Sequence, residues 1–171
     1  MWDSSMINQT LVTTIKLERD QRQTITIPGP GKYLVILAGE GAEAMIRGRF
    51  KTQGQEKLDV QLVIHHQAGH TLANTSLRAV AADQSQVTIK GKILIDQNCP
   101  QANSFLTERV LLLSDQAKAE TVPDLEILSD DVKCSHAASI SQIPEEQLFY
   151  LMSRGISRKK AEKLVVEGFL S

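Results

Sequence analysis

Short runs of aliphatic and β-branched residues, many of them alternating with polar residues, dominate the chain from Thr13 to Lys133. Successive side chains of a strand point to opposite faces, so this period of two predicts strands that are buried on one side. Valine, isoleucine and threonine are also the residues that strands favour. The clearest runs are Thr24-Ile25-Thr26-Ile27, Val60-Gln61-Leu62-Val63-Ile64, Val87-Thr88-Ile89 and Ile93-Leu94-Ile95.

Turn-forming residues separate these runs. Glycine, proline, asparagine and aspartate supply the backbone angles that turns need. The segments are PGPGK at 28–32, AGEGAE at 38–43, TQGQ at 52–55, HQAGH at 66–70 and DQNCP at 96–100. The body of the chain is therefore mainly β. Sandwiches, barrels and solenoids all fit such strands, and the absence of a repeat of fixed period leaves that choice open.

The composition narrows the function classes. A chain of 171 residues with 42% hydrophobic residues suits one domain with a genuine core. Positive and negative side chains nearly cancel, with 19 Lys and Arg against 20 Asp and Glu, which argues against general nucleic-acid binding. Only four Phe, one Trp and two Tyr are present. Small and branched aliphatic residues must fill the interior, as in a narrow stack of coils.

The location is predicted from what the sequence lacks. The start, MWDSSMINQT, has neither the basic residues nor the apolar run of a secretory signal, and no run of about 18 apolar residues follows. Cys99 and Cys134 are far apart in sequence and form neither a disulfide framework nor a metal knuckle. We expect a cytoplasmic protein with reduced thiols and no membrane contact. Cys99, in the turn-forming segment QNCPQ, is interpreted as incidental.

The pattern changes to helix after Ala138, so we divide the chain into a β core, residues 1–138, and a helical segment, residues 139–171. Pro144 suits a first helical position, and acidic residues follow it where the helix dipole is positive. Gly155 ends this helix, and Ser157 is placed as the N-cap of a second one. The predicted apolar faces are Leu148, Leu151 and Met152 in the first helix, and Ala161, Leu164, Val165, Gly168 and Phe169 in the second.

Four basic residues lie near the start of the second helix: Arg158, Lys159, Lys160 and Lys163. Cations there oppose the helix dipole. The plainer interpretation is a solvated face. The functional interpretation is a docking surface for an acidic or helical partner.

Several ordered blocks resemble the C-terminal part of the SufB/SufD family of the Suf iron–sulfur cluster assembly system. The blocks are VLLLSDQAKAETVPDLEILSDDVKCSHAAS at 110–139 and EEQLFYLMSRGISRKKAEKLVVEGF at 145–169. Upstream, IHHQAGHT at 64–71 and KGKILID at 90–96 also resemble the family. The resemblance covers roughly the last two-thirds of the chain. The C-terminal end of the chain combines features that resemble SufB with features that resemble SufD.

The resemblance implies a right-handed parallel β-helix followed by C-terminal helices. It implies two partners: a SufC-type ABC ATPase that docks on residues 144–169, and a second SufB/SufD-like or identical chain that pairs through the last coils. The chain would be a scaffold, not an enzyme, and it has no GxxxxGK[ST] phosphate loop of its own. A nascent iron–sulfur cluster would be held only transiently, and no permanently bound cofactor is expected.

Cys134 and His136 are the candidate site residues. In an extended stretch they share one face, and iron accepts both thiolate and imidazole ligands. From the residues alone, a buried strand cysteine is the plainer interpretation. The resemblance implies instead that both residues contribute to a cluster site where two subunits meet. Lys133 and His136 would favour the thiolate, whereas the neighbouring aspartates would disfavour it.

The remaining histidines and acidic residues are weaker candidates for a functional site. His65, His66 and His70 do not converge, and we expect structural or solvent-exposed roles for them. Asp130 and Asp131 fit a polar strand end exposed to water. No catalytic set is found, and a β-helical carbohydrate-acting enzyme would need clustered acids and an aromatic platform. Because family members are much longer, the alternative to a working scaffold is a structural or interaction module that keeps the fold and has lost cluster chemistry.

Overall fold

The computed structural model describes residues 11–171. The first ten residues, in which the sequence predicts no secretory signal, lie outside the described residues. Ten strands and two helices follow one another along the chain: β1 Val12–Leu17, β2 Arg22–Ile27, β3 Gly31–Leu37, β4 Glu43–Thr52, β5 Lys57–His66, β6 Leu72–Ala81, β7 Gln86–Ile95, β8 Ala102–Leu112, β9 Lys118–Ile127, β10 Val132–Gln142, α1 Glu145–Ser153 and α2 Arg158–Leu170.

The strands form two parallel sheets, which we call the odd and the even sheet. The odd sheet has the order β1-β3-β5-β7-β9, and the even sheet has the order β10-β8-β6-β4-β2. Each strand therefore pairs with the strand two places away in sequence, and the chain crosses to the other sheet between the two. This winding is a parallel β-helix, and it confirms the mainly β fold with two C-terminal helices.

The coils differ in length, which explains why the sequence shows no fixed repeat. Val12 pairs with Lys32, Lys57 pairs with Gln86, and Gln86 pairs with Lys118. The turns absorb these differences, and the strands stay in register because their inward residues must stack. The turn-forming segments predicted from the sequence lie between strands and overlap the strand ends by at most two residues.

Inward side chains stack as ladders that run along the solenoid between the two sheets. In the odd sheet, Val35 pairs with Ile64 and Ile64 with Ile93, and all three are fully buried. Most inward positions of the middle coils are aliphatic. Burying an aliphatic side chain contributes roughly 1.5–3 kcal/mol, so these ladders are the main source of stability.

The helical segment begins later than the sequence indicates. β10 continues to Gln142 because it stays in register with β8 as far as Leu112. Pro144 is the N-cap residue of α1 rather than its first residue, and Gly155 has the positive φ of 83° expected at a helix end. No helix within residues 11–171 is long and apolar enough to cross a membrane.

α2 packs on the outer face of the even sheet. Val166 and Leu170 form a small apolar cluster with Val80 and Leu111. Of the apolar stripe predicted for α2, Ala161 is buried, but Leu164 is 42% exposed. The buried stripe is thus rotated toward Val166 and Leu170, because the sheet meets the helix on that side.

Candidate functional site

β10 carries both predicted site residues on its inward face. Along this strand Cys134 pairs with Ser104 of β8, and His136 pairs with Leu106, and all four residues stand at inward positions. The His136 side chain is 2% exposed, whereas Cys134 is half-buried at the edge of the core. The strand period therefore places thiol and imidazole on one face, as predicted, and that face points into the solenoid.

A buried carboxylate lies beside the imidazole. Glu108 of β8 is 0% exposed, and its Oε2 lies 3.5 Å from Nε2 of His136. Within residues 11–171 neither carboxylate oxygen and neither ring nitrogen has a hydrogen-bond partner. A buried carboxyl group needs a compensating partner, and His136 is the polar side chain that lies nearest to it.

Gly91 of β7 makes room for this carboxylate from the opposite sheet. A Cβ atom at Gly91 would collide with Oε1 of Glu108 and with the Leu106 side chain. The hydroxyls of Ser104 and Thr75 are also buried there without hydrogen-bond partners among the described residues. The interior around Glu108 thus contains several polar side chains among the apolar ones.

The environment of the Cys134 thiol favours its protonated form. Burial raises the pKa of the Cys134 thiol above its ordinary value, because a thiolate would lose its solvation. The favouring of the thiolate by Lys133 and His136 that the sequence suggested is therefore outweighed. Loss of the proton requires a bound cation or a change at this end of the solenoid, since a metal ion stabilises a coordinated thiolate.

The last coil is open on one side. β9 and β10 are each the outermost strand of their sheet, so each has one unpaired edge. Among the described residues no further coil covers their inward side chains, and Leu125, Ile127 and Ile140 are 45%, 40% and 44% exposed. Exposed apolar side chains beside unpaired strand edges are typical of a surface that another chain covers.

Within residues 11–171, no three His, Cys, Asp or Glu side chains lie close enough together to hold a metal ion. Cys134, His136 and Glu108 are therefore an incomplete ligand set in this conformation. Asp130 and Asp131 are exposed in the turn before β10 and do not join the site.

The other histidines do not converge, as expected. His65 Nε2 lies 2.9 Å from an Asp96 oxygen, and His70 Nε2 lies 3.9 Å from Glu40. His66 is fully buried, with Nδ1 2.8 Å from the Thr71 hydroxyl. Cys99, which we interpreted as incidental, is buried in the core. Burial raises the pKa of its thiol as well.

Glu108 was missed by the sequence analysis, although a signal for it is present. The residues Leu106, Glu108 and Val110 share one phase of the period of two, so a strand that buries the first and third must also bury the second. The pattern does not indicate that His136 is the neighbour of Glu108, because His136 belongs to the next coil.

Comparison with known proteins supports one family. The family model described as "SUF system FeS cluster assembly, SufBD core domain" matches residues 31–169. The chain is similar to the iron-sulfur cluster assembly protein SufD of Escherichia coli, with 31% identity over 78% of the chain. It is also similar to a SufBD family protein of Pyrococcus horikoshii, with 37% identity over 81%, and to SufB of Bacillus subtilis, with 32% identity over 79%.

The chain corresponds to only a part of these relatives. The matched regions cover 31%, 30% and 29% of the Escherichia coli, Pyrococcus horikoshii and Bacillus subtilis proteins. The similarity includes the strands β3 to β10 and nearly all of both helices.

Proposed function

We propose that this chain, which belongs to the SufB/SufD family, is a scaffold subunit in iron–sulfur cluster assembly. In this proposal the cluster is cargo that Cys134 and His136 hold transiently. The chain pairs through its last coil and recruits a SufC-type ABC ATPase through its helices. It does not hydrolyse ATP itself, and it works in the cytoplasm.

The observation that supports the proposal most is the placement of Cys134 and His136 on one inward face at the open end of the solenoid. A thiol and an imidazole beside a buried carboxylate are a donor set that iron accepts. Because the three side chains are an incomplete set, sulfide and a second chain would supply the remaining ligands. A site at the exposed last coil can be completed in this way, whereas a site in the middle coils cannot.

Pairing follows from the exposed end of the solenoid. The unpaired edges of β9 and β10 and the exposed side chains of Leu125, Ile127 and Ile140 lie next to the proposed site. A second SufB/SufD-like chain, identical or not, would cover this apolar surface and bring its own ligands to the cluster.

Cluster binding is tested by anaerobic reconstitution of the chain, with its pairing partner present, using ferrous iron and sulfide. We expect broad visible absorption from a bound cluster, lost in Cys134→Ala and retained in the matched control Cys99→Ala. A colourless wild type that still pairs would contradict the proposal. It would favour the alternative, a structural module of the same fold that has lost cluster chemistry.

Pairing is tested by sedimentation velocity. The substitution Leu125→Asp places a charge on the apolar surface of the last coil and should abolish pairing. Val12→Asp, which changes an exposed residue of β1 in the first coil, is the control and should leave pairing intact. Pairing that survives Leu125→Asp would place the contact elsewhere.

ATPase docking is supported by the exposed face of α1. Phe149, Tyr150 and Met152 are 74%, 58% and 42% exposed, which is unusual for neighbouring large apolar side chains. We expect Phe149→Ala to weaken binding of a SufC-type ATPase at least tenfold, about the effect of losing a central aromatic anchor. Lys57→Gln, an exposed change on β5 outside both helices, should have little effect. Equal binding by wild type and Phe149→Ala would refute docking on α1.

A further inference from the structure

The outer face of the even sheet carries four arginines at neighbouring positions. Arg49 of β4, Arg78 of β6 and Arg109 of β8 are directly paired in register, and Arg47 lies two residues before Arg49 on the same face. Adjacent strands lie only about 4.8 Å apart, so like charges stacked in this way repel one another. Such a row persists when negative groups compensate it.

The described residues provide little negative charge for these arginines. Within residues 11–171, the arginines that lie within 4 Å of an Asp or Glu side-chain carboxylate are Arg19, Arg22 and Arg158, none of which belongs to the row. The even sheet therefore has a positive outer face, although the whole chain is close to neutral.

The end of α2 compensates the row in part. Arg78 donates a hydrogen bond to the Phe169 carbonyl at 2.8 Å, Arg49 donates to the Ser171 carbonyl, and Arg109 lies over the Phe169 ring. A helix C-terminus is partly negative, so these contacts are favourable. A guanidinium has five N–H donors, however, and Arg49 and Arg78 each use one of them here. The Nε of Arg78 is buried without a partner among the described residues.

These unused donors meet in a cavity of about 270 Å³. Arg47, Arg49 and Arg78 line it together with the amide of Asn74, the hydroxyl of Ser76 and Ser171 at the end of α2, and no Asp or Glu side chain does. The cavity is smaller than the roughly 300–1,000 Å³ pockets that hold drug-sized ligands. Its size suits a compact ligand, and its lining suits one that carries several acceptor oxygens.

We propose that this cavity is a binding site for a phosphate-class oxyanion, either free or as the phosphate group of a small molecule. Guanidinium groups bind phosphate oxygens in bidentate geometry, and arginines from two strands would contact one anion from two sides. Asn74 and Ser76 add neutral donors between them. The site is on the outside of the solenoid and is separate from Cys134 and His136, which face inward.

Calorimetric titration of the whole chain at a constant ionic strength of about 0.15 M tests the site, with inorganic phosphate and pyrophosphate as probes. We expect saturable binding that acetate, a monovalent carboxylate, does not reproduce. Arg47→Gln should weaken it at least about tenfold, the effect of removing one charge-assisted hydrogen bond. Arg47 is exposed and has no ion pair within the described residues, so this variant keeps the fold.

Lys51→Gln is the matched control, because it removes one positive charge from the same face of β4 but lies outside the cavity. We expect less than about a twofold change, since salt screens charges at that distance. Equal weakening by both variants would overturn the site, as would non-saturable phosphate binding. Saturation by a double-stranded oligonucleotide but not by pyrophosphate would also overturn it, because it would show an extended polyanion surface instead.

Discussion

The middle coils and the last coil bury histidines in opposite ways. His66, in the middle, stacks between Leu37 and Ile95, and its Nδ1 pairs with Thr71. The Thr71 hydroxyl donates to the Ala68 carbonyl, so it accepts a hydrogen bond from Nδ1–H of His66, and burial lowers the pKa of this imidazole. His136, at the end, faces a carboxylate with nothing else to satisfy either group. The middle coil gives its histidine a hydrogen-bond partner at Nδ1, whereas the last coil buries a histidine beside a carboxyl group close to an unpaired strand edge.

The largest effect is expected from the Glu108–His136 pair. His136→Leu leaves the Glu108 carboxylate buried without its partner and should lower the free energy of unfolding by about 3–5 kcal/mol. The double variant Glu108→Leu, His136→Leu should recover most of the loss, because no charge then remains buried. Urea unfolding of both single variants and the double variant measures the coupling. Additive losses would show that the two side chains do not interact.

Core truncation compares the two regions directly. Ile64→Ala removes a fully buried side chain from a middle coil and should cost about 2–5 kcal/mol, including the cavity that it leaves. Ile140→Ala changes an inward residue of the last coil that is 44% exposed, and the unpaired chain should lose less than about 1 kcal/mol. Equal losses in urea unfolding would mean that the last coil is as closed as the middle.

The neutral state of His66 predicts a dependence on pH. Burial, with a smaller contribution from His65, lowers the pKa of His66 from 6.5 to about 4. The unfolded chain therefore takes up a proton here at a higher pH than the folded chain does. Stability from this residue is complete above pH 6.5 and is lost as the pH falls toward 4, by about 3 kcal/mol.

This contribution is isolated by measuring unfolding between pH 7 and pH 4 in two variants. His66→Leu should flatten the dependence, because leucine suits a ladder between Leu37 and Ile95 and does not titrate. His70→Gln, which changes an exposed histidine, should leave the dependence as in the wild type. An unchanged slope in His66→Leu would assign the acid sensitivity to other groups.

The smallest expected change in stability comes from filling the space that Gly91 leaves for the Glu108 side chain. Gly91→Ala pushes a methyl group into the carboxylate and should cost about 1–3 kcal/mol, as overpacking does. Gly168→Ala is the control: its Cβ would meet nothing within 4 Å, and alanine in a helix should stabilise by up to about 1 kcal/mol. Thermal unfolding of both variants gives the comparison, and a neutral Gly91→Ala would show that Glu108 moves without cost.

Much of the fold could be predicted from the sequence because its signals are local. The period of two locates the strands, and glycine and proline segments locate the turns. The family resemblance was needed to choose a parallel β-helix, since the coils vary in length and hide the repeat. The sequence pattern ends the β core at Ala138, but pairing with β8 extends β10 beyond that residue. In α2 the pattern predicts that Leu164 is buried, but the helix buries Val166 against the sheet instead.

By itself, the sequence determined that the chain is mainly β with two terminal helices, that it resembles the SufB/SufD family, and that Cys134 and His136 share a face. Only the tertiary structure decided that this face is interior, that Glu108 is the partner of His136, and that four arginines share one outer face. The physical reason is register. Neighbours across a parallel β-helix lie one whole coil apart in sequence, and the length of each turn, which no local pattern fixes, decides which residues meet.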